Sequence, residues 1–168
     1  HWLNDVDLVV LSPGLPGDLP IVRQALAQGL PVIGEIELFA RGLHALNAMA
    51  SVPAPVLAIT GTNGKTTTTA LTGHLWRSMG QSVGVAGNIS PAALTALANH
   101  VAHNDLPQVW VLELSSFQLE TTTSLQAAPA RPTGWIDASG LTLMWTWSRW
   151  PSVALPRSSI GRQPSPAR

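Results

Sequence analysis

The six residues Gly61-Thr62-Asn63-Gly64-Lys65-Thr66 constrain this chain more than any other stretch. They stand between a short apolar run, Val56-Leu57-Ala58-Ile59, and a segment with helical spacing that opens at Lys65. A glycine-rich turn between strand and helix gathers backbone N–H groups into an anion-holding concavity, and the helix adds its positive N-terminal end. Gly61 and Gly64 permit the tight turn and a close approach of backbone to phosphate. Lys65 can reach β/γ-phosphates as a point charge, and the Thr66 hydroxyl can ligate Mg2+. The general phosphate-loop pattern wants glycine at position 59, where this chain has Ile59. The plainer alternative is an ordinary glycine-bearing turn with one solvated lysine.

The surroundings repeat that arrangement. Val6–Leu11 leads into Ser12-Pro13-Gly14, Leu30–Ile33 into Gly34-Glu35, Val83–Ala86 into Gly87-Asn88, and Val109–Leu112 into Glu113-Leu114-Ser115-Ser116. Near-continuous apolar runs of this length suit strands buried on both faces. Helical stretches alternate with them. Leu19 to Gln28 puts Ile21, Val22, Ala25 and Leu26 on one face; Glu35 to Leu46 repeats Ile36, Phe39, Leu43 and Leu46. Lys65 to Met79 aligns Leu71, Leu75 and Met79, and Pro91 suits the first position of a helix over Ala92 to Ala98. Alternating β and α elements predict an α/β fold with a parallel, doubly wound sheet of phosphate-loop type. Ligands of such sheets bind beyond the carboxyl ends of the strands, where this sequence places its distinctive residues.

Glu113 ends an apolar strand at that edge. Phosphate-loop enzymes hold magnesium, a hard cation, with a carboxylate so placed. The competing reading is a solvated strand-end Glu. Glu35, Glu37 and Glu120 lack the context and read as surface or helix-end charges. The five histidines (His1, His44, His74, His100, His103) read as solvated or helix-surface groups.

Composition separates the chain into parts. Asn47 to Pro55 is a small-residue, Pro-bearing linker, so residues 1–53 read as the end of a Rossmann-like N-terminal domain and 54–128 as a partial central domain. Through Ala128 four cations face eight acids; from Pro129 onward there are five arginines and only Asp137. Four of the seven tryptophans and six of the fourteen prolines also fall there. Residues 129–168 therefore read as an aberrant, disordered tail, an out-of-frame translation, with a genuine Trp/Arg interaction tail as the rival. Its arginines are too scattered for a nucleic-acid arm, so no nucleic-acid partner is expected. No apolar run reaches the roughly 18–20 residues of a membrane span, and the absence of cysteine fits a reducing cytoplasm.

Taken together these motifs resemble the Mur ligase family. Ala58-Ile59-Thr60-Gly61-Thr62-Asn63-Gly64-Lys65-Thr66-Thr67 is similar to that family's ATP loop, which lacks the first glycine and so accounts for Ile59. The loop alone also suits the branch adding the third peptide residue, or folylpolyglutamate synthase. Leu112-Glu113-Leu114-Ser115-Ser116-Phe117-Gln118-Leu119-Glu120 narrows the resemblance to the branch that adds D-glutamate to UDP-N-acetylmuramoyl-L-alanine. Ala86-Gly87-Asn88-Ile89 and Ser12-Pro13-Gly14 agree, with Ser90 where glycine is usual.

The resemblance implies an ATP-dependent amide-bond-forming ligase of peptidoglycan precursor synthesis, cytoplasmic and monomeric, working through an acyl phosphate with ATP and Mg2+. Gly61, Thr62, Asn63, Gly64, Lys65, Thr66 and Thr67 would bind ATP. Lys65 and Glu113 would be catalytic, Thr66 and Glu113 would hold Mg2+, and Asn88, Ser115 and Gln118 would face substrate. The family continues with an Asp-His pair and a lysine that is carbamylated. Here no Asp-His pair occurs and Lys65 is the sole lysine. The expectation is thus a truncated, inactive ligase, with an ATP-binding module lacking ligase chemistry, or the product of a broken gene, as alternatives.

Overall fold

The computed structural model describes residues 2–125 and, as backbone alone, residues 141–145. A small sheet pairs β1 (Val9–Leu11) in parallel with β2 (Val32–Gly34) across helix α1 (Pro20–Ala27). Helix α2 (Glu35–Met49) follows β2 without a break. A second sheet is built from β3 (Val56–Gly61), β4 (Val83–Gly87), β5 (Val109–Glu113) and β6 (Leu141–Trp145), in the order β4-β5-β3-β6. Helix α3 (Lys65–Ser78) joins β3 to β4, α4 (Ala93–His103) joins β4 to β5, and the five-residue α5 (Ser116–Glu120) leaves the end of β5.

The expected parallel sheet is present: β3, β5 and β4 run in parallel, with helices on both faces. All five residues of β5 are buried, as a strand covered on both sides must be. One face carries Val56, Ala58, Ala86, Trp110 and Leu112 against Ile36, Phe39 and Leu43 of α2 and Ala93, Ala96 and Leu97 of α4. The other carries Leu57, Ile59, Val109 and Val111, with Trp76 of α3 packed on them.

Trp110 fills the centre of the first face. Its ring lies edge-on to Phe39, with centroids 5.1 Å apart. It also occupies the space above Gly84, where an added Cβ would meet the indole at 2.6 Å.

Several elements depart from expectation. The apolar stripe Leu71, Leu75, Met79 faces solvent, each residue more than half exposed. Helix α3 buries Thr69 and Gly73 instead, because it lies so close to β4 that a Cβ at Gly73 would meet Val85 Cγ2 at 2.6 Å. In α1 only Val22 and Ala25 are buried, while Ile21 and Leu26 are exposed. Pro91 precedes α4 rather than opening it: Ala92 is the cap residue and the helix runs on to His103. The proposed linker begins as helix, since α2 reaches Met49, and Asn47 then ties it back. The Asn47 amide donates to the Ala54 carbonyl at 3.2 Å and accepts from the Ala54 N–H at 2.9 Å.

Part of the span expected to be disordered is strand. β6 pairs antiparallel with β3, from Leu57↔Trp145 to Gly61↔Leu141, which satisfies the backbone groups on that edge of β3. The remainder of that expectation, residues 129–140 and 146–168, lies outside the described residues, as does His1.

Candidate functional site

The carboxyl ends of β3, β4 and β5 meet at one edge. Glu113 is the register partner of Ile59 on one side and of Gly87 on the other. The glycine loop that leaves Gly61 therefore starts beside Glu113. Gly61 has φ +143° and Gly64, the cap residue of α3, has φ +74°. Gly64 occupies the left-handed region, which a side chain would strain, so the turn needs glycine there. Thr62, Asn63 and Gly64 are exposed, as are Thr66 and Thr67 in the first turn of α3. Lys65 folds back across the loop: its Nζ donates to the Gly61 carbonyl at 2.8 Å and lies 3.5 Å from the Thr62 carbonyl.

Glu113 is buried. Its Oε1 accepts from Asn88 Nδ2 at 3.1 Å, whereas Oε2 is buried with no partner among the described residues. The turn after β4 is built around it. Gly87 has φ +119°, a Cβ there would strike the Glu113 carbonyl oxygen, and the Asn88 N–H donates to that same oxygen at 2.8 Å. A buried carboxylate oxygen without a donor costs free energy unless something else satisfies it. A hard divalent cation fits that vacancy in chemistry. Among the described residues no group of three His, Cys, Asp or Glu side chains could hold a metal, so Glu113 offers one carboxylate. That matches the way magnesium is bound, through one or two protein oxygens with phosphates and water completing the shell.

Of the three residues expected to face substrate, Asn88 turns to Glu113. Ser115 and Gln118 engage each other in a capping box: Ser115 Oγ accepts from the Gln118 N–H at 3.2 Å, and Gln118 Oε1 accepts from the Ser115 N–H at 2.9 Å. Gln118, buried, also lines a cleft of about 90 Å³ with Ser12, Pro13, Gly14, Gly34, Glu35, Phe117, Glu120 and Thr121. Ser12-Pro13-Gly14 thus faces the segment after β5 across this cleft.

Glu37 is a helix-end charge, in the first turn of α2, but not a surface one: it is buried at 1% exposure. Its carboxylate accepts from Ser124 Oγ at 2.6 Å, Ser124 N–H at 2.7 Å, Thr123 N–H at 2.8 Å and Arg41 Nε at 2.9 Å. Glu35 Oε1 accepts from the Leu94 N–H, so it too is engaged, whereas Glu120 is exposed. Burial alone would raise the Glu37 pKa, but the hydrogen bonds from Ser124, Thr123 and Arg41 outweigh it and lower the value to about 2. A carboxylate with a depressed folded-state pKa stabilises fully above its unfolded value, and that stability is lost as pH falls. Stability should therefore decline between about pH 4.5 and pH 2. The shift is worth on the order of 3 kcal/mol as an upper figure. Thermal unfolding measured against pH should show this slope, and Glu37→Gln should flatten it. An equal slope in both proteins would contradict the assignment.

His100 also departs from a solvated role. It is half-buried, with its ring edge-on to Trp110 at 5.5 Å and Nδ1 2.9 Å from Asp105 Oδ1.

The arrangement defines a class: a doubly wound α/β domain with a glycine loop and a buried carboxylate side by side at the carboxyl edge of its sheet. Residues 59–133 match the model of the Mur ligase middle domain, so this stretch carries that family's sequence. The chain is similar to UDP-N-acetylmuramoylalanine–D-glutamate ligases. It is 57% identical to that of Cupriavidus metallidurans over 129 residues, covering 74% of this chain and 26% of that protein. It is 55% identical to that of Thiobacillus denitrificans over 135 residues, covering 76% and 28%. The chain spans about a quarter of the length of these curated relatives. Among the described residues no helix is long and apolar enough to cross a membrane.

Proposed function

We propose that this chain supplies the ATP- and Mg2+-binding edge of a cytoplasmic ligase that joins D-glutamate to UDP-N-acetylmuramoyl-L-alanine through an acyl phosphate. The observation that carries the reading is the buried Oε2 of Glu113, without a partner among the described residues, beside a left-handed glycine loop that ends in Lys65-Thr66. The similarity to D-glutamate-adding ligases supplies the substrate class.

The chemistry needs phosphorylation because a carboxylate is a poor electrophile. A bound magnesium ion would neutralise charge on the transferring phosphoryl group. The chain's own part is positioning and charge. The loop N–H groups and the N-terminus of α3 hold phosphate oxygens, and Lys65 turns from the Gly61 carbonyl to the outermost of them. Glu113 Oε2 and the Thr66 hydroxyl would hold the cation, with Asn88 fixing the carboxylate through Oε1. The cleft between Ser12-Pro13-Gly14 and Gln118 would take the UDP-muramoyl substrate. In this reading residues 1–53 belong to the UDP-substrate-binding domain and the central domain begins at about residue 54.

A narrower reading is an ATP-binding module without ligase turnover. Calorimetry of ATP with and without Mg2+ tests the shared part: affinity should rise at least about tenfold with Mg2+, as expected for a carboxylate-held cation bridging phosphates. No Mg2+ dependence would sink the site. ADP release that requires both UDP-N-acetylmuramoyl-L-alanine and D-glutamate separates the ligase from the module.

A further inference from the structure

Helix α5 has five residues, far below the length at which a helix holds itself together in water. It nevertheless carries Phe117 and Gln118 into one wall of the cleft. Its N-terminal end is held by the Ser115–Gln118 capping box. Its C-terminal end is held by hydroxyls: Thr122 Oγ1 and Thr121 Oγ1 both donate to the Gln118 carbonyl, at 2.6 and 3.3 Å. Those threonines lie in a turn that would be free to lift away were it not anchored two residues further on. The anchor is Glu37.

The Glu37 carboxylate sits in the first turn of α2, which is packed into the core through Ile36 and Phe39. It receives both backbone N–H groups of Thr123 and Ser124 and the Ser124 hydroxyl, while Arg41 completes its shell one helical turn along. Four donors converge on one buried carboxylate, three of them from a segment 86–87 residues away in sequence. Three residues before Glu37, Gly34 lets the turn sit directly on the end of β2, since a Cβ there would run into Thr121 Oγ1. Gly34 and Thr121 are themselves cleft residues.

We propose that Glu37 is a positioning residue for the cleft ligand: it staples the 121–124 turn to α2 and so holds the Phe117–Thr121 wall opposite Ser12-Pro13-Gly14. The role of that wall in substrate binding rests on the proposed function; the staple itself does not. An amide in place of the carboxylate loses acceptor capacity and turns its own NH2 group toward one of the incoming donors, so the turn loosens while the α2 core stays intact.

Two variants test this on the full chain, Glu37→Gln and the milder Ser124→Ala. The readouts are amide hydrogen exchange and the affinities for UDP-N-acetylmuramoyl-L-alanine and for Mg·ATP. In Glu37→Gln, exchange at 118–124 should rise by about tenfold or more, the scale set by losing a charged hydrogen bond, with β3 and β5 amides unchanged. UDP-muramoyl affinity should fall by a similar factor while Mg·ATP affinity stays within about twofold. Ser124→Ala should move both in the same direction and by less. Exchange that rises uniformly across the sheet, or that stays as in wild type, overturns the staple. Loosened exchange at 118–124 with unchanged UDP-muramoyl affinity overturns the positioning role. If the wild-type chain leaves the UDP-muramoyl probe unbound while the variant's exchange is locally raised, the proposed function of the cleft fails and the staple stands.

Discussion

Lys65→Ala is expected to reduce Mg·ATP affinity at least about a hundredfold, because charge-assisted bonds to phosphate are among the strongest a side chain makes. The position is prepared for that role. Gly64 caps α3 in the left-handed conformation, so Lys65 is the first helical residue and its stem starts at the mouth of the loop. Its ammonium satisfies the Gly61 carbonyl at 2.8 Å, a contact within the loop itself. Phosphate bound at the loop would exchange that neutral acceptor for an anionic one. Lys65→Arg should recover only part of the affinity, since a planar fork does not occupy a point charge's place between two carbonyls and a phosphate. Because the substitution removes a half-exposed side chain, circular dichroism and Tm should change little. Lys65 being the chain's sole lysine gives a second check: Mg·ATP should protect it from an amine-directed reagent, read at the Lys65 peptide. Unchanged calorimetric affinity in Lys65→Ala would remove the loop from the site.

The loop and Glu113 were legible because both signals are local: an apolar run that stops at glycines, and one that stops at an acid. The same locality explains the helix α2 face, where Ile36, Phe39 and Leu43 are buried as their spacing predicts. Glu37 was illegible for the opposite reason. Within its own helix it is one more acid near an N-terminus, and the groups that justify burying it are backbone N–H donors of Thr123 and Ser124. Helix α3 misleads in another way. Its large apolar residues form a stripe, but close packing on β4 selects the face with Gly73 and Thr69, and proximity outweighs apolar area there. The motif singles out Asn88 as a candidate, yet its partner, Glu113, lies 25 residues away and becomes adjacent only through the parallel register.

Trp110→Ala is expected to cost about 3–5 kcal/mol, the range for deleting a large aromatic from a packed core. Trp110 is fully buried as the second residue of β5, flanked by β4 and β3, with Phe39 of α2 and His100 of α4 edge-on to it. It therefore ties the sheet to both helices of one face. Gly84 lies beneath the ring and has no side chain to offer. Domains of this size are stable by about 5–15 kcal/mol in all, so the variant should lose a large share of its stability. Trp110→Phe separates the contributions. It keeps an aromatic edge for Phe39 and removes the indole N–H, which is buried without a partner among the described residues. Removing an unsatisfied donor offsets part of the lost packing, so its cost should be less than half that of alanine. Urea unfolding followed by circular dichroism measures both. Equal losses in the two variants would mean that the indole N–H is satisfied, and a loss in Trp110→Ala below about 1 kcal/mol would mean that the α2 layer is not packed on the sheet through this residue.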